Sequence, residues 1–539
     1  MITNRQPGTL IVRSTSNPDR PVKQKIRPIP IIDLFAGPGG LSEGFSELCH
    51  AGRHPFTVAL SIEKDEIACS TLTLRKFRRA FTEAPDEYLA YVKGELSLSE
   101  LYDAHPMEAR AAQAKTWQAE LGVESSSAVT RRVRAALGHT DQPWVLIGGP
   151  PCQAYSLVGR ARMRSTRPNF EDDKRHFLYR EYLQIVARHR PAVFVMENVR
   201  GILSSKHDGN GIFERIIKDL RRPTLALGLS GHRSLVYRLY GLGAAGGREF
   251  IDGNDPAHHF LLRAEDHHIP QSRHRVFIVG VRSDVKGIPE PLDTSPRHVS
   301  VASVLGDLPT LRSRLSKARD SRETWIEAVR EARHAKWMQG GRASTLHPIV
   351  VRTERALISL AAASGTGAQF VTHHRNGIRD TTLAKWYRKG ATGLTLHQTR
   401  GHMQADLHRY LFASSFADVT GRSPSLRDFP VELRPRHANV EAAVRGEMFG
   451  DRFRVQTADR PSSTVTSHIS KDGHYFIHYA SEQCRSLTVR EAARLQTFPD
   501  DYFFCGNRTE QYHQVGNAVP PLLALSVASS IYSLLGDLA

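Results

Sequence analysis

The chain has 539 residues, 40% of them hydrophobic and 24% charged, the composition of a globular protein with more than one core. Its 73 Lys and Arg against 55 Asp and Glu leave a net charge of +18, an excess that favours a polyanionic partner such as nucleic acid. No run approaches the ~18 apolar residues of a membrane span, the N-terminus lacks the apolar core of a secretory signal, and five scattered cysteines without CxxC spacing argue against disulfide frameworks and zinc fingers and fit a reducing cytoplasm.

In chain order, residues 1–28 read as a flexible, basic, Pro-punctuated tail. "PIPIIDLFAG" (28–37) is a short apolar run ending in glycine, a buried strand, and "GGLSEGFSEL" opens a helix. "FTVALSIE" (56–63) is a second strand, followed by the helical "DEIACSTLTLRKF"; a third strand is placed near "AYVKGEL". After a polar, Ala-rich insertion (about 101–140), "WVLIGG" is a fourth strand. "KRHFLYREYLQIVARHR" is helical by its apolar spacing at Phe177, Leu178, Tyr182, Ile185 and Val186, and "AVFVMEN" is a fifth strand. Strand and helix in alternation predict an α/β fold, a doubly wound, mostly parallel Rossmann-like sheet with its chemistry at the carboxyl ends of the strands.

Between residues 301 and 460 lie 26 Lys and Arg against 15 Asp and Glu, so this stretch holds 11 of the 18 excess charges. Its texture, as in "HHRNGIRDTTLAKWYRKGATGLTLHQTRGH", shows no clear period and predicts a second, smaller, loop-rich domain facing nucleic acid. His373, His374, His397 and His402 have no cysteine or acidic cluster at ligand spacing, so hydrogen-bonding or phosphate-facing roles are expected and no metal.

Four groups converge on the predicted strand ends. Gly37, Gly39 and Gly40 let a backbone approach a ligand at a helix N-terminus, and Glu63 at the end of the second strand is either a ribose-hydroxyl acceptor or a solvated strand-end acid. In "LIGGPPCQAYS" (146–156), Gly148 and Gly149 free the turn while Pro150 and Pro151 stiffen it, an arrangement that holds the Cys152 thiol in place as a nucleophile. "ENVRG" puts Glu197 on the same rim, and "PQSRHRVFIVG" supplies Arg273 and Arg275, which a two-residue period points to one side. A structural ion pair between Glu197 and an arginine is the other reading, but it leaves Cys152 unexplained.

The segments "DLFAGPGGLSEGF", "GGPPCQAYS", "MENVRG", "PQSRHRVFIVG", "RPSSTVTS" and "QVGNAVPP", in this order from about residue 30 to the end, resemble the DNA (cytosine-5)-methyltransferase family. The resemblance implies an S-adenosylmethionine-dependent enzyme acting on a cytosine flipped out of duplex DNA. Cys152 would add to C6, Glu197 would hold N3 and the exocyclic amine, sharing a proton there, and Arg275 would hold O2 with Arg273 beside it. Phe35 would stack near the adenine; Ala36, Gly37, Gly39, Gly40 and Leu41 would meet the methionine end, and Glu63 the ribose, beside Lys64. Glu95 in "KGEL" resembles the acid that reads the adenine amino group. Pro151 and Leu178 complete the pocket with Asn517, Ala518 and Val519.

The resemblance divides the chain into the tail (1–28), a catalytic domain (29–285), a target-recognition domain (286–480) and a C-terminal segment completing the catalytic domain (481–539). His268 and Ser463 stand where the family usually has glycine and proline. The expected partner is double-stranded DNA, met by a monomer in the cytoplasm at the nucleoid, with no membrane; association with a restriction or phage-defence system rests on family analogy. An RNA (tRNA) cytosine-5 methyltransferase of the same fold and a catalytically silent DNA-binding protein are the competing readings.

Overall fold

The computed structural model describes residues 27–138, 142–151, 178–207, 210–229, 235–243, 246–251, 255–340, 342–360, 365–372, 380–436 and 452–536, with positions 378, 440, 441 and 445. Apolar runs closed by glycine or polar turns become strands, and the amphipathic runs between them become helices. β1 (Ile29–Leu34) turns into α1 (Gly40–Glu47), and β2 (Phe56–Glu63) into α2 (Glu66–Arg78). Asp65 caps α2 by accepting from the Ala68 N–H. Then come α3 (Asp86–Lys93), α4 (Leu98–Ala104), α5 (Pro106–Ala114), β3 (Thr116–Gln118), α6 (Ser126–Leu137), β4 (Val145–Gly148), α7 (Leu178–His189), β5 (Val193–Val199), α8 (Ile212–Arg221), β6 (Tyr237–Tyr240), β7 (Leu261–Arg263) and β8 (His274–Arg282).

The strands form one sheet in the order β3-β2-β1-β4-β5-β8-β6, with β7 also on β8. The first five run parallel; β8 is antiparallel to β5, β6 and β7. The order reverses between β1 and β4, where an open α/β sheet leaves a crevice for ligands. Side chains alternate across β1: Ile32 and Leu34 pack with Val133 of α6 and Tyr182 of α7, while Ile29 and Ile31 pack with Phe45 of α1 on the opposite face.

The expected third strand is a correction. "AYVKGEL" lies in α3 and the turn after it; Tyr88 and Val92, four residues apart, are its buried positions, which is helical spacing. The third strand is β3, inside the stretch read as an insertion, which also holds α4, α5 and α6.

The basic middle of the chain carries helices as well as loops: α9 (Arg322–Arg330), α10 (His347–Ser359), the hairpin β9 (Gly367–Val371) with β10 (Leu394–Gln398), and between them α11 (Thr381–Arg388), then α12 (Gln404–Thr420). Trp325, Leu357, Leu411, Phe412 and Phe429 form a core here. "TTLAKWYR", read as aperiodic, is α11, with Leu383, Trp386 and Tyr387 buried.

The chain ends in α13 (Val489–Leu495), α14 (Arg508–Asn517) and α15 (Pro521–Leu535). Leu523, Val527 and Ile531 of α15 share the core of α1 and β1, and a Cβ at Gly44 would strike the Pro521 carbonyl. Arg508–Leu535 is long and apolar enough to cross a membrane, yet 72% of its most apolar window is buried within the protein. Leu74 and Phe77 of α2, Trp386 of α11, and Leu487, Phe498 and Tyr512 form a further core, which joins α2 to the middle and end of the chain.

Candidate active site

The glycine turn after β1 sits where the sheet opens. Phe35 and Gly37 both have φ +54, and Gly39, with φ +94, is the N-cap of α1. Gly40 is required by contact: a Cβ there would run into the carbonyl of Val519, so "NAV" is seated against this turn. Among the described residues nothing lies within 4 Å of a Cβ position on Gly37, which leaves space there for a ligand. The Glu63 carboxylate closes the turn, its Oε2 accepting from the Gly37 N–H at 2.8 Å and its Oε1 from the N–H groups of Lys64 and Asp65 at 2.9 Å. Ala36 N–H bonds the Ile62 carbonyl, so β1 and β2 present the acid and the turn together.

Beneath the turn, Asp33 is fully buried and neither carboxylate oxygen has a partner among the described residues. Burial pushes its carboxyl up to about 7. Burial likewise brings the Lys76 amine down to about 7; it donates to Ser61 Oγ, the Lys115 carbonyl and Thr116 Oγ1.

Beyond β3 stands an acid that the sequence reading did not weigh. Glu95 is exposed in the turn after α3, away from the strand ends. Glu120 follows β3 by two residues, and the Lys64 amine lies 3.4 Å from its carboxylate. Leu178 reaches the same corner, with its Cδ2 3.5 Å from a Cβ position on Gly122. An acid two residues past "TWQ" was the available signal, hidden because three residues are too few to show a strand's period. Glu120→Ala is therefore expected to weaken about tenfold, the ~1.4 kcal/mol of one charge-assisted hydrogen bond, the binding of any ligand held at this corner, and Glu95→Ala to leave it unchanged, as equilibrium titration will read.

On the other side of the crevice, Glu197 near the end of β5 meets Arg275 of β8: Arg275 Nε is 2.9 Å from Glu197 Oε1, and both side chains are largely buried. Burial works against the Arg275 charge, and Glu197 restores part of it. Glu197 Oε2 lies 2.8 Å from a Cβ position on Gly149, so a side chain there would make the carboxylate shift. Asn198 donates to the Pro150 carbonyl at 3.5 Å, a contact the sequence reading did not foresee. Cys152 lies outside the described residues; Pro151, half-buried, is the last one before it.

Arg273 lies near enough to Arg275 and Glu197 to feel both charges, yet its own hydrogen bonds lead elsewhere. It precedes β8 in a tight turn, its N–H bonding the Gln271 carbonyl, and its guanidinium donates to the carbonyls of Val465 (2.8 Å) and Gly516 (3.5 Å). It ties "PQSRHR" to "STVTS" and to the end of α14. Gln271 adds to the tie, accepting from Val465 N–H and donating to Gln496, which in turn donates to the carbonyls of Val515 and Ala518. Leu41, Ala518 and Val519 are buried, and Asn517 is exposed with its amide 3.3 Å from His513.

Both departures have local consequences. His268 takes φ +64, a left-handed conformation that glycine adopts without cost, and its ring is held by Asp380 at 2.7 Å. Ser463 uses the N–H a proline would lack, donating to Gln456 Oε1. His397 and His402 are buried and bonded to Thr488, Pro309 and Ser486. His373 and His374 lie outside the described residues.

An open α/β sheet that presents a glycine turn, a ribose-type acid and an acid–arginine pair along one rim defines a nucleotide-cofactor-dependent transferase. The chain belongs to the C-5 cytosine-specific DNA methylase family, which matches it over residues 112–224 and 256–533, and S-adenosylmethionine is its methyl donor. It is similar to the type II methyltransferase M.Bpa9945I of Bacillus paralicheniformis, 30% identical over 93% of this chain and 98% of that one. It is also similar to M.AgeI of Thalassovita gelatinovora, 28% identical over 93% and 98%, and to M.DdeI of Desulfomicrobium norvegicum, 25% identical over 93% and 88%.

Proposed function

We propose that this protein methylates C5 of a cytosine flipped out of a specific duplex sequence, with Cys152 as nucleophile, as the modification enzyme of a restriction system in the cytoplasm. The observation that carries the mechanism is the Glu197–Arg275 pair lying against Gly149 and Pro150, the backbone that leads directly to Cys152. The type II names of the relatives support the restriction setting.

The open space over Gly37 and the fixed Glu63 carboxylate fit S-adenosylmethionine. Glu63 would take the ribose hydroxyls, Glu120 the adenine edge, Phe35 and Leu178 the ring faces, and the backbone of Ala36 to Leu41, with Asn517 to Val519 behind it, the methionine end. When bound, this cofactor supplies an electrophilic methyl group.

The chain's own residues prepare the base. The Cys152 thiolate adds to C6 of cytosine, and the electron pair displaced from the ring makes C5 nucleophilic. Glu197 holds N3 and supplies a proton there, while Arg275 fixes the orientation of Glu197 and faces O2. Once C5 carries the methyl group, its proton leaves to a base through water, the C6–S bond breaks to restore the thiolate, and N3 returns its proton to Glu197. Arg273 acts as a positioning residue for the rim. Residues 286–480 would read the target sequence.

A pool of duplexes of varied sequence with 5-fluorocytosine in place of cytosine tests this, because fluorine cannot leave C5 as a proton does. With S-adenosylmethionine present, a DNA-linked peptide containing Cys152 is expected by mass spectrometry. Methylation of ordinary duplexes without any such adduct would overturn the mechanism, and methyl transfer to tRNA but not to DNA would overturn the substrate.

A further inference from the structure

Several buried arginines face a carboxylate: Arg75 meets Glu43 and Asp501, Arg485 meets Glu491, and Arg494 meets Asp307 and Asp500. A group on one surface does not. Arg312 pairs with Asp320 at 2.6 Å, but Arg314, two residues on, has no ion pair among the described residues. Arg314 pairs through its backbone with Gly401, beside Arg400. The Arg400 guanidinium lies 4.3 Å over the Tyr512 ring and donates to the carbonyls of Ile469 and Lys471. Arg508, first residue of α14, donates to Gln398 Oε1 at 3.0 Å and has no ion pair among the described residues. Beyond burial, Arg400 and Arg314 both work against the Arg508 charge, so the three cations share one field.

The acids nearest in sequence are committed elsewhere. Asp320 serves Arg312 and the Leu315 N–H, Asp472 serves the His474 N–H, and Glu510 caps α14 through the Asn507 N–H. Three half-buried guanidiniums and the exposed Lys471 are thus held together with no ion pair of their own among the described residues, although Asp320 lies near enough to feel the Arg314 charge. Such an arrangement costs free energy unless an anion completes it. Planar guanidiniums suit phosphate oxygens, and Arg400, already fixed by stacking on Tyr512 and by carbonyl bonds, has little side-chain entropy left to lose on binding.

We propose that Arg314, Arg400 and Arg508, with Lys471 at their edge, seat backbone phosphates of the DNA that flanks the target base. The inference rests on the DNA-methylating reading above and adds the location. α14 runs from Arg508 to Gly516, whose carbonyl touches Arg273 at the strand-end rim. At 1.5 Å per residue that is roughly 12 Å, or about four phosphates along one strand at 3.4 Å each. The seat therefore grips DNA a few base steps from the flipped nucleotide and reads no sequence.

The test is the salt dependence of binding to a 30-base-pair duplex, followed by fluorescence anisotropy, for the wild type and for an Arg314→Gln/Arg508→Gln double variant; Arg400 is kept because it packs on Tyr512. Each lost phosphate contact should lower the slope of log K against log salt by about 0.9, so a drop of about 2 is expected, with affinity weakened roughly tenfold at low salt. S-adenosylmethionine affinity should be unchanged, which shows that the variant is folded, and Arg314→Lys/Arg508→Lys should restore the slope. An unchanged slope and affinity in the folded double variant would overturn the seat, as would an effect confined to single-stranded RNA. Methyl transfer by the wild type to cytosine C5 is measured in parallel, so failure of the seat and failure of the DNA-methylating reading are told apart.

Discussion

Glu197→Gln is expected to slow methyl transfer by about 10²–10⁴-fold while leaving DNA and cofactor affinities within a few-fold of the wild type. The amide keeps the shape that fits beside Gly149 and can still meet Arg275 Nε through its oxygen, so the loop leading to Cys152 stays in place. What is lost is a group able to give a proton to N3 as the thiolate adds, and that proton is needed only on the way to the transition state. The fall should therefore lie in kcat rather than KM. Single-turnover transfer of a labelled methyl group measures it. A Glu197→Gln enzyme within tenfold of the wild-type rate would show that the carboxyl serves only as a structural partner of Arg275.

Arg494→Met should cost about 3–5 kcal/mol of stability, among the largest single losses available in this chain. Arg494 is fully buried; it donates to Asp307 at 2.5 Å, to both oxygens of Asp500 at 2.7 and 2.8 Å, and to the Val304 carbonyl. Its guanidinium also lies 5.3 Å from the Tyr387 ring centre. Removing it strands two fully buried carboxylates, although Arg388 still reaches Asp307. These partners come from the residues before α9, from α11 and from the turn after α13, so the loss loosens the basic middle of the chain from its end. Thermal unfolding monitored by calorimetry reads it directly. Asp500→Asn/Arg494→Met should be less damaged than Arg494→Met alone, because it removes one of the stranded charges.

The parts of the fold that could be read in the sequence are those that bury a continuous apolar run. β1, β2, β4, β5 and β8 are such runs, and each ends close to a residue of the site. β3 was not legible because three residues, Thr116 to Gln118, carry no measurable period, and the aromatic, charged "YRLY" of β6 resembles a surface segment although Tyr237 and Tyr240 are buried. In "YLAYV" the aromatic and aliphatic residues suit a strand by composition, while the helix is set by which of them face the core. The same limit governs the site. Glu63, Glu197 and Arg275 follow from strand ends, but Glu120 needed the position of β3, and the turn of Arg273 toward Val465 and Gly516 depends on segments nearly 200 and 243 residues away. Contacts of that range leave no local pattern to read.

The packing of α15 against α1 orders events during synthesis. The strand-and-turn half of the cofactor pocket is made first, and the Val519 carbonyl that backs Gly40, with the apolar side of α15 that covers β1, follows several hundred residues later. The first turn of the sheet is thus completed by a segment made long after it, and the apolar face of β1 waits for α15 before it is covered.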